Sequence, residues 1–185
     1  MDRGEGIGLP EIIPYDREAA VAYAHRWAYR RNPNFYDYED LGGDCTNFAS
    51  QCLYAGTGIM NFTPVYGWYY RGPNDKAPAW TGVPYFYNFL TRSELSPGPL
   101  GRQAVLEELR PGDFVQLRFP GRDRFGHTPI VVETGQPPTP ENTLVAAHSV
   151  DADYRPLDTY TVQGIRYIHI LGAYKLREGI DAEAL

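Results

Sequence analysis

The sequence lacks the features that mark several large classes of protein. It has only two cysteines in 185 residues, so it offers neither a disulfide framework nor a Cys-x-x-Cys metal motif. Acidic residues outnumber basic ones by 23 to 17, which leaves no basic excess for binding nucleic acid. No apolar run approaches the roughly 20 residues of a membrane-spanning helix. We therefore expect a globular chain with no nucleic-acid partner, no membrane span and no cofactor.

The two ends of the chain contribute little to the predicted domain. Residues 1–14 contain no apolar core of the kind a signal peptide needs, and we interpret them as an irregular arm. We accordingly expect a cytoplasmic location, and export or association with a spore stays open. Residues 15–175 are enough for a single domain with its own core, and residues 176–185 are interpreted as a tail.

The most informative stretch covers residues 40–56. Asp44 is a suitable N-cap and Gly56 a suitable stop signal, so we predict a helix that begins at Cys45. Unpaired N–H groups and the helix dipole favour a thiolate at that position, relative to a free thiol with a pKa of about 8.5. Cys45 is therefore the candidate nucleophile. Cys52 lies seven residues further on along the apolar face and is interpreted as a core residue.

The remaining elements predict an α+β fold. An amphipathic helix follows Asp16, and a short helix is expected over residues 84–92. Turn residues then separate runs rich in β-branched side chains. The predicted strands cover residues 114–119, 125–134, 143–150 and 167–172. Helices followed by closely linked strands indicate helices packed on an antiparallel sheet.

Two histidines lie on neighbouring predicted strands. If the hairpin turn centres near Pro138, antiparallel partners have residue numbers that sum to about 276, and position 127 lies opposite 148 or 149. His127 is then the candidate general base, and His148 is the candidate for orienting it. The alternatives for the orienting residue are Ser149 and Asn142, and Asp151 could orient His148 in turn.

The stretch around Cys45 also carries a resemblance. The run Gly43-Asp44-Cys45-Thr46-Asn47-Phe48-Ala49-Ser50-Gln51-Cys52-Leu53 resembles the Asp-Cys-Thr-Asn-Phe signature of an amidase-domain family of spore-forming Gram-positive bacteria. That family is similar to the CHAP and NlpC-type papain-like cysteine peptidases and amidases. The resemblance implies a papain-like fold with N-terminal helices on a C-terminal antiparallel sheet. It also implies hydrolysis of an amide bond, in a peptide or peptidoglycan-derived substrate, through an acyl-cysteine intermediate.

Aromatic residues are abundant enough to line a substrate groove, at 14% of the chain. Trp68, Tyr69 and Trp80 lie in the breaker-rich segment of residues 58–83, and we interpret them with Tyr38 as candidate substrate-binding residues. Packing of the same rings into the core is the alternative.

Three other functions stay open at this stage. The aromatic residues could belong to a non-catalytic module that binds a peptide or glycan. They could also mediate self-association in a sporulation-like assembly. A zinc site could use Cys45, His127, His148 and Asp151, although no metal motif of short spacing supports it.

Overall fold

The computed structural model describes residues 10–176, so most of the expected arm (residues 1–9) and tail (residues 177–185) lie outside the described residues. Four α-helices occupy the first half of this part of the chain. Their bounds are α1 (Arg17–Trp27), α2 (Cys45–Thr57), α3 (Pro78–Thr81) and α4 (Val83–Leu90). A 3₁₀ turn at Glu39–Leu41 leads into α2.

Strands occupy most of the second half. Their bounds are β1 (Pro10–Ile13), β2 (Tyr70–Gly72), β3 (Asp75–Lys76), β4 (Gly98–Ala104), β5 (Phe114–Arg118), β6 (Ile130–Thr134), β7 (Thr143–Ala147), β8 (Ala152–Pro156) and β9 (Gly164–Leu176). β2 and β3 form a separate hairpin. The other seven strands form one antiparallel sheet in the order β1-β9-β5-β6-β7-β8. The long strand β9 pairs with β5 and β1 at different points along one edge and with β4 along the other. The first strand lies within the segment that the sequence predicted to be irregular.

The curled sheet separates two hydrophobic clusters. The larger cluster lies between the sheet and the helices and includes Phe48 of α2 and Phe114, Ile130 and Ala146 of the sheet. The smaller one lies on the opposite face and includes Leu117. Strand residues one position apart point to opposite faces, which is why consecutive residues of β5 enter different clusters. The α+β class predicted from the sequence is confirmed.

Helix α1 packs closely against α2. The Asp16 side chain accepts a hydrogen bond from the Ala19 backbone N–H at 2.9 Å, which caps the helix as predicted. Small side chains at Ala20, Ala24 and Ala28 are fully buried on the inner face. Because these side chains are short, the two helix backbones can approach each other closely, and the Tyr23 hydroxyl of α1 donates to Gln51 of α2 at 2.7 Å.

The predicted hairpin register is confirmed. Ile130 pairs with Ala146 and Val131 pairs with Val145, and in both pairs the residue numbers sum to 276. The two strands of this hairpin are shorter than predicted, because β6 begins at Ile130 and β7 ends at Ala147. His127 precedes it and forms only an isolated bridge to Leu117 of β5.

The segment of residues 58–83 is packed rather than open. Trp68 and Trp80 are fully buried in the larger cluster, with ring centroids 4.8 Å apart. Their indole N–H groups donate to Ser50 Oγ and Asn47 Oδ1 of α2. The prediction that these two rings line a substrate groove is therefore wrong. They pack behind α2 and hold it in place.

Candidate active site

Cys45 is the first residue of α2 and is 7% exposed. Its thiol donates to the Gly126 carbonyl at a sulfur–oxygen distance of 3.9 Å, and the Thr46 Oγ1 lies 3.7 Å from the sulfur. The backbone of Thr128 also forms a hydrogen bond with the sulfur. The residues on both sides of His127 therefore contact Cys45, which brings the two predicted catalytic residues to the same end of the sheet.

Asp44 anchors the start of α2 in a way the sequence did not predict. Its carboxylate does not cap a backbone N–H group of the helix. Oδ1 instead accepts from the Tyr38 backbone N–H at 3.0 Å and from the Asn47 side chain at 2.8 Å. Oδ2 lies 2.6 Å from His148 Nδ1. This buried carboxylate therefore joins α2 to the preceding loop and to the end of β7.

A chain of hydrogen bonds begins at Thr46, beside the thiol, and runs into the sheet. Thr46 Oγ1 lies 3.2 Å from Thr128 Oγ1, which accepts from Gln116 Nε2 at 3.2 Å. Gln116 Oε1 in turn accepts from two nitrogens of Arg166. Buried polar groups keep their positions when they are fully hydrogen-bonded. The hydrogen bonds beside the thiol thus reach β5, β9 and the segment just before β6.

His127 is 6% exposed and lies between aromatic rings. The ring centroids of Phe119 and Tyr160 are 6.1 Å and 5.7 Å from its own. Within residues 10–176 its imidazole nitrogens make no hydrogen bond to the protein. An imidazole without a protein partner is free to exchange a proton with a thiol or a substrate.

His148 does not orient His127 as predicted. Its Nδ1 faces Asp44, and its Nε2 lies 2.9 Å from the Trp27 carbonyl oxygen, so both nitrogens are occupied. Its ring stacks on Phe48 with centroids 4.0 Å apart. Extended beyond the paired residues, the register of Ile130 with Ala146 sets position 148 opposite Thr128 rather than His127. Adjacent strand positions face opposite sides of a sheet.

The alternatives to His148 are also engaged elsewhere. Ser149 Oγ donates to Glu39 at 3.0 Å and accepts from the Asp44 backbone N–H at 3.0 Å. Asn142 closes the β6–β7 turn by hydrogen bonds with Gly135 and Thr139. Asp151 pairs with Arg31 on the surface. Among the described residues, none of these side chains contacts the His127 ring.

Tyr160 is a site residue that the sequence analysis missed. Its ring packs on His127, and the Arg155 guanidinium lies over the same ring at 3.7 Å. Its hydroxyl is buried and has no hydrogen-bond partner among the described residues. Tyr160 has a pKa raised by burial, which the charge of the Arg155 guanidinium partly offsets. It follows the 3₁₀ turn Leu157–Thr159, and no motif in the sequence marks it.

Comparisons with known proteins identify the family of this chain. Residues 14–171 match the family described as "Putative amidase domain". The chain belongs to this amidase-domain family. It is also 36% identical over 143 residues to "Uncharacterized protein YhbB" of Bacillus subtilis (strain 168). The aligned part is 76% of this chain but 43% of that relative, so the chain spans less than half of the relative's length. No solved structure matches the chain.

Membership of the amidase-domain family supports an amidase-type hydrolase. The match covers nearly all of the described elements, from the entry to α1 into β9. It therefore includes Cys45 and His127, together with the elements that hold them in position.

The charge state of the candidate site differs from the thiolate predicted from the helix position. Burial raises the pKa of the Cys45 thiol, and this outweighs the lowering by hydrogen bonds from Thr46 and Thr128. Burial, together with the smaller effect of the Arg155 charge, lowers the pKa of His127 from 6.5 to about 4. At neutral pH the resting site therefore holds a thiol and a neutral imidazole, not a thiolate–imidazolium pair.

The two remaining predicted substrate-binding residues are tied into the surrounding loops. The Tyr38 ring is buried, its hydroxyl donates to the Pro73 carbonyl at 2.9 Å, and Lys76 lies 5.0 Å from its centroid. Tyr69 is half-buried and lies 5.4 Å from the Phe62 ring. These contacts account for both rings as packing residues of the β2–β3 region.

Residues 10–176 contain neither a metal-binding cluster nor a membrane-spanning helix. In this part of the chain, no three His, Cys, Asp or Glu side chains are grouped closely enough to hold a metal ion. None of the helices described there is both long enough and apolar enough to cross a bilayer.

Proposed function

We propose that this amidase domain is a thiol hydrolase of papain-like fold, related to the CHAP and NlpC-type enzymes, and that Cys45 and His127 carry its chemistry. One observation carries the proposal most strongly. Gly126 and Thr128, the neighbours of His127 on either side, both contact the Cys45 sulfur. A nucleophile requires a base within reach, and we assign that role to the His127 imidazole, which lies between these two contacts in the chain. The proposed substrates are amides of peptides or peptidoglycan-derived peptides.

The mechanism begins from a neutral pair. His127 accepts the thiol proton as the sulfur attacks the amide carbonyl, so the S–C bond forms while the carbonyl becomes an oxyanion. His127 then donates that proton to the leaving nitrogen, the C–N bond breaks, and an acyl-cysteine remains. Water then attacks the thioester as His127 takes its proton, the S–C bond breaks to release the acid, and His127 returns the proton to the Cys45 sulfur. Because the base starts neutral, it need not lose a proton before each turnover.

Two donors could hold the oxyanion in this scheme. The backbone N–H group of Cys45 opens α2, where the helix dipole favours negative charge. We assign the second donor to Tyr160, since its buried hydroxyl has no hydrogen-bond partner within residues 10–176. Burial raises the pKa of Tyr160, so the phenol keeps its proton at neutral pH and stays a donor. A substrate oxygen would satisfy a group that otherwise lacks a partner.

The binding-module alternative has lost its main support. It depended on Trp68, Tyr69, Tyr70 and Trp80, and both tryptophans are fully buried behind α2. We therefore favour hydrolysis over binding alone.

The test is hydrolysis of a panel of peptide amides carrying a fluorogenic leaving amine. Cys45→Ala and His127→Ala should each abolish turnover, because one removes the nucleophile and the other removes the base. Cys52→Ala is the matched control, since Cys52 is a fully buried thiol on the same helix, and it should retain turnover. Turnover that survives in Cys45→Ala would contradict the proposal.

A further inference from the structure

A pocket of about 710 Å³ opens beside the proposed nucleophile. It is lined by Gly42, Phe119 and residues 121–126, and we refer to it as the arginine pocket. It borders the site on two sides. Gly126 contacts the Cys45 sulfur through its carbonyl, and the Phe119 ring packs near His127. A substrate held in this pocket would therefore have its next atoms at the thiol.

Two arginines line the pocket and are exposed. Arg122 and Arg124 have no carboxylate within salt-bridge distance among the described residues. Elsewhere in the structure Arg17, Arg31 and Arg102 each pair with a carboxylate at 2.7–2.9 Å. The cations at this pocket therefore keep charge that a neighbouring acid would otherwise neutralise. Asp123 is the one carboxylate among the described residues that line it.

Two more arginines flank the same end of the sheet. The Arg166 guanidinium lies 4.3 Å from the centroid of Phe125, a lining residue, and its hydrogen bonds go to the neutral amide of Gln116. The Arg155 guanidinium lies over Tyr160 and donates to Thr159. In the described part of the chain neither arginine has a salt-bridge partner. Their side chains are half-buried, where charges are less screened than in open solvent.

This distribution contrasts with the charge of the whole chain. The net charge is −6, yet unpaired cations surround the pocket at the thiol. Guanidinium groups bind carboxylates through two parallel hydrogen bonds, and local positive potential raises the concentration of anions. We propose that the arginine pocket binds a carboxylate of the substrate, so that the amides hydrolysed by this domain are acidic peptides. This inference rests on the function proposed above.

The test compares two alkylating agents that differ in charge. Iodoacetate and iodoacetamide both transfer a CH₂ group to sulfur with loss of iodide, but only iodoacetate is an anion. We expect the rate ratio, iodoacetate over iodoacetamide, to be about 3- to 10-fold higher at Cys45 than at a neutral model thiol. Mass spectrometry of the Cys45 peptide provides both rates. The excess should shrink when salt is raised from about 0.05 to about 0.5 M.

Two double variants show whether the arginine pocket causes the higher rate ratio. Arg122→Gln with Arg124→Gln should lower the ratio by at least about threefold. Arg26→Gln with Arg30→Gln removes the same two charges from exposed positions of α1 and of the turn that follows it, beside Trp27, and should leave the ratio unchanged. A wild-type ratio no higher than that of the model thiol would overturn the inference. So would equal effects of the two double variants, because they would reflect net charge alone.

A second measurement applies if neither reagent alkylates Cys45, because it does not depend on labelling. Cys45→Ala is then titrated with N-acetylglutamate and N-acetylglutamine while the amide signals of residues 121–126 are followed by NMR. Shifts that favour the glutamate support the pocket, and equal or absent shifts overturn it. Failure here is distinct from failure of the hydrolase proposal. Cys45-dependent hydrolysis that persists without a preference for acidic peptides would remove the substrate class and leave the activity.

Discussion

At the scale of single residues, burial decides the chemistry of the site. Cys45 occupies the helix start that the sequence identified, where the dipole favours a thiolate. Desolvation opposes this effect and wins, since burial raises the pKa of the thiol. Sequence reasoning could single out Cys45 as the candidate nucleophile from Asp44 and the residues after it, but it could not foresee how deeply the sulfur lies. Tyr160 was missed for a similar reason, because only the fold brings it to His127.

The depressed pKa of His127 predicts a specific loss of stability in acid. Its folded-state pKa of about 4 is below the unfolded value of 6.5, so the unfolded chain binds a proton first as pH falls. The contribution is complete above pH 6.5 and is lost between pH 6.5 and about 4. It amounts to about 3 kcal/mol. Urea unfolding of the wild type and of His127→Gln at several pH values measures it.

The variant should have a flatter dependence of unfolding free energy on pH across that window. His25→Gln is the control, because it removes a different histidine, which lies beside Asp153. In this variant the part of the pH dependence that His127 causes should be unchanged. Parallel slopes for the wild type and His127→Gln would show that this imidazole has an ordinary pKa. In active protein, the acid limb of kcat/KM should fall near pH 4 for the same reason, since protonation removes the base.

Tyr160→Phe should separate stability from activity. A buried hydroxyl without a partner destabilises the fold, so its removal should raise the unfolding free energy by about 1 kcal/mol. Loss of an oxyanion donor should lower kcat by roughly 100-fold. Thermal unfolding and peptide-amide hydrolysis measure the two effects, with the exposed Tyr154→Phe as control. An unchanged kcat would exclude the assigned donor role.

At the scale of elements, α2 is held by side chains rather than by its cap. The sequence correctly placed its first residue, but Asp44 bonds to Tyr38, Asn47 and His148 instead of to a helix N–H group. Strand β7 ends three residues earlier than predicted, because Ser149 and Val150 adopt left-handed conformations with φ of 63° and 67°. Non-glycine residues rarely adopt that region, so residue type alone could not predict this turn.

The Asp44–His148 contact should behave as a buried structural pair. Both side chains are 1% exposed, and removing one partner of such a pair costs about 3–5 kcal/mol. We expect His148→Ala to lower the unfolding free energy by that amount. His25→Ala breaks the more exposed pair with Asp153 and should cost no more than about 1 kcal/mol.

The same variant distinguishes support of α2 from the catalytic role first predicted for His148. If His148 only anchors α2, His148→Ala should lower the unfolding free energy and leave the activity per folded molecule nearly unchanged. A His148→Ala protein of wild-type stability with little activity would instead restore the orienting role.

At the scale of the whole molecule, local signals were predictable and long-range pairings were not. The hairpin register followed from one turn, and it is confirmed by the pairing of Ile130 with Ala146. Strand β9 was predicted over only six residues, because its length depends on partners far away in the chain. Its 13 residues pair with β4 along one edge and with β5 and then β1 along the other. No periodicity within residues 164–176 specifies those three partners.

The central claim is that Cys45 forms an acyl intermediate with the help of His127, and trapping that intermediate tests it most directly. The protein is mixed with a p-nitrophenyl ester, quenched in acid within seconds, and analysed by intact mass and peptide mapping. The account predicts one acyl group on Cys45 in the wild type and in Cys52→Ala, and none in Cys45→Ala or His127→Ala. Acylation of another residue, or equal acylation of Cys45 without His127, would contradict it.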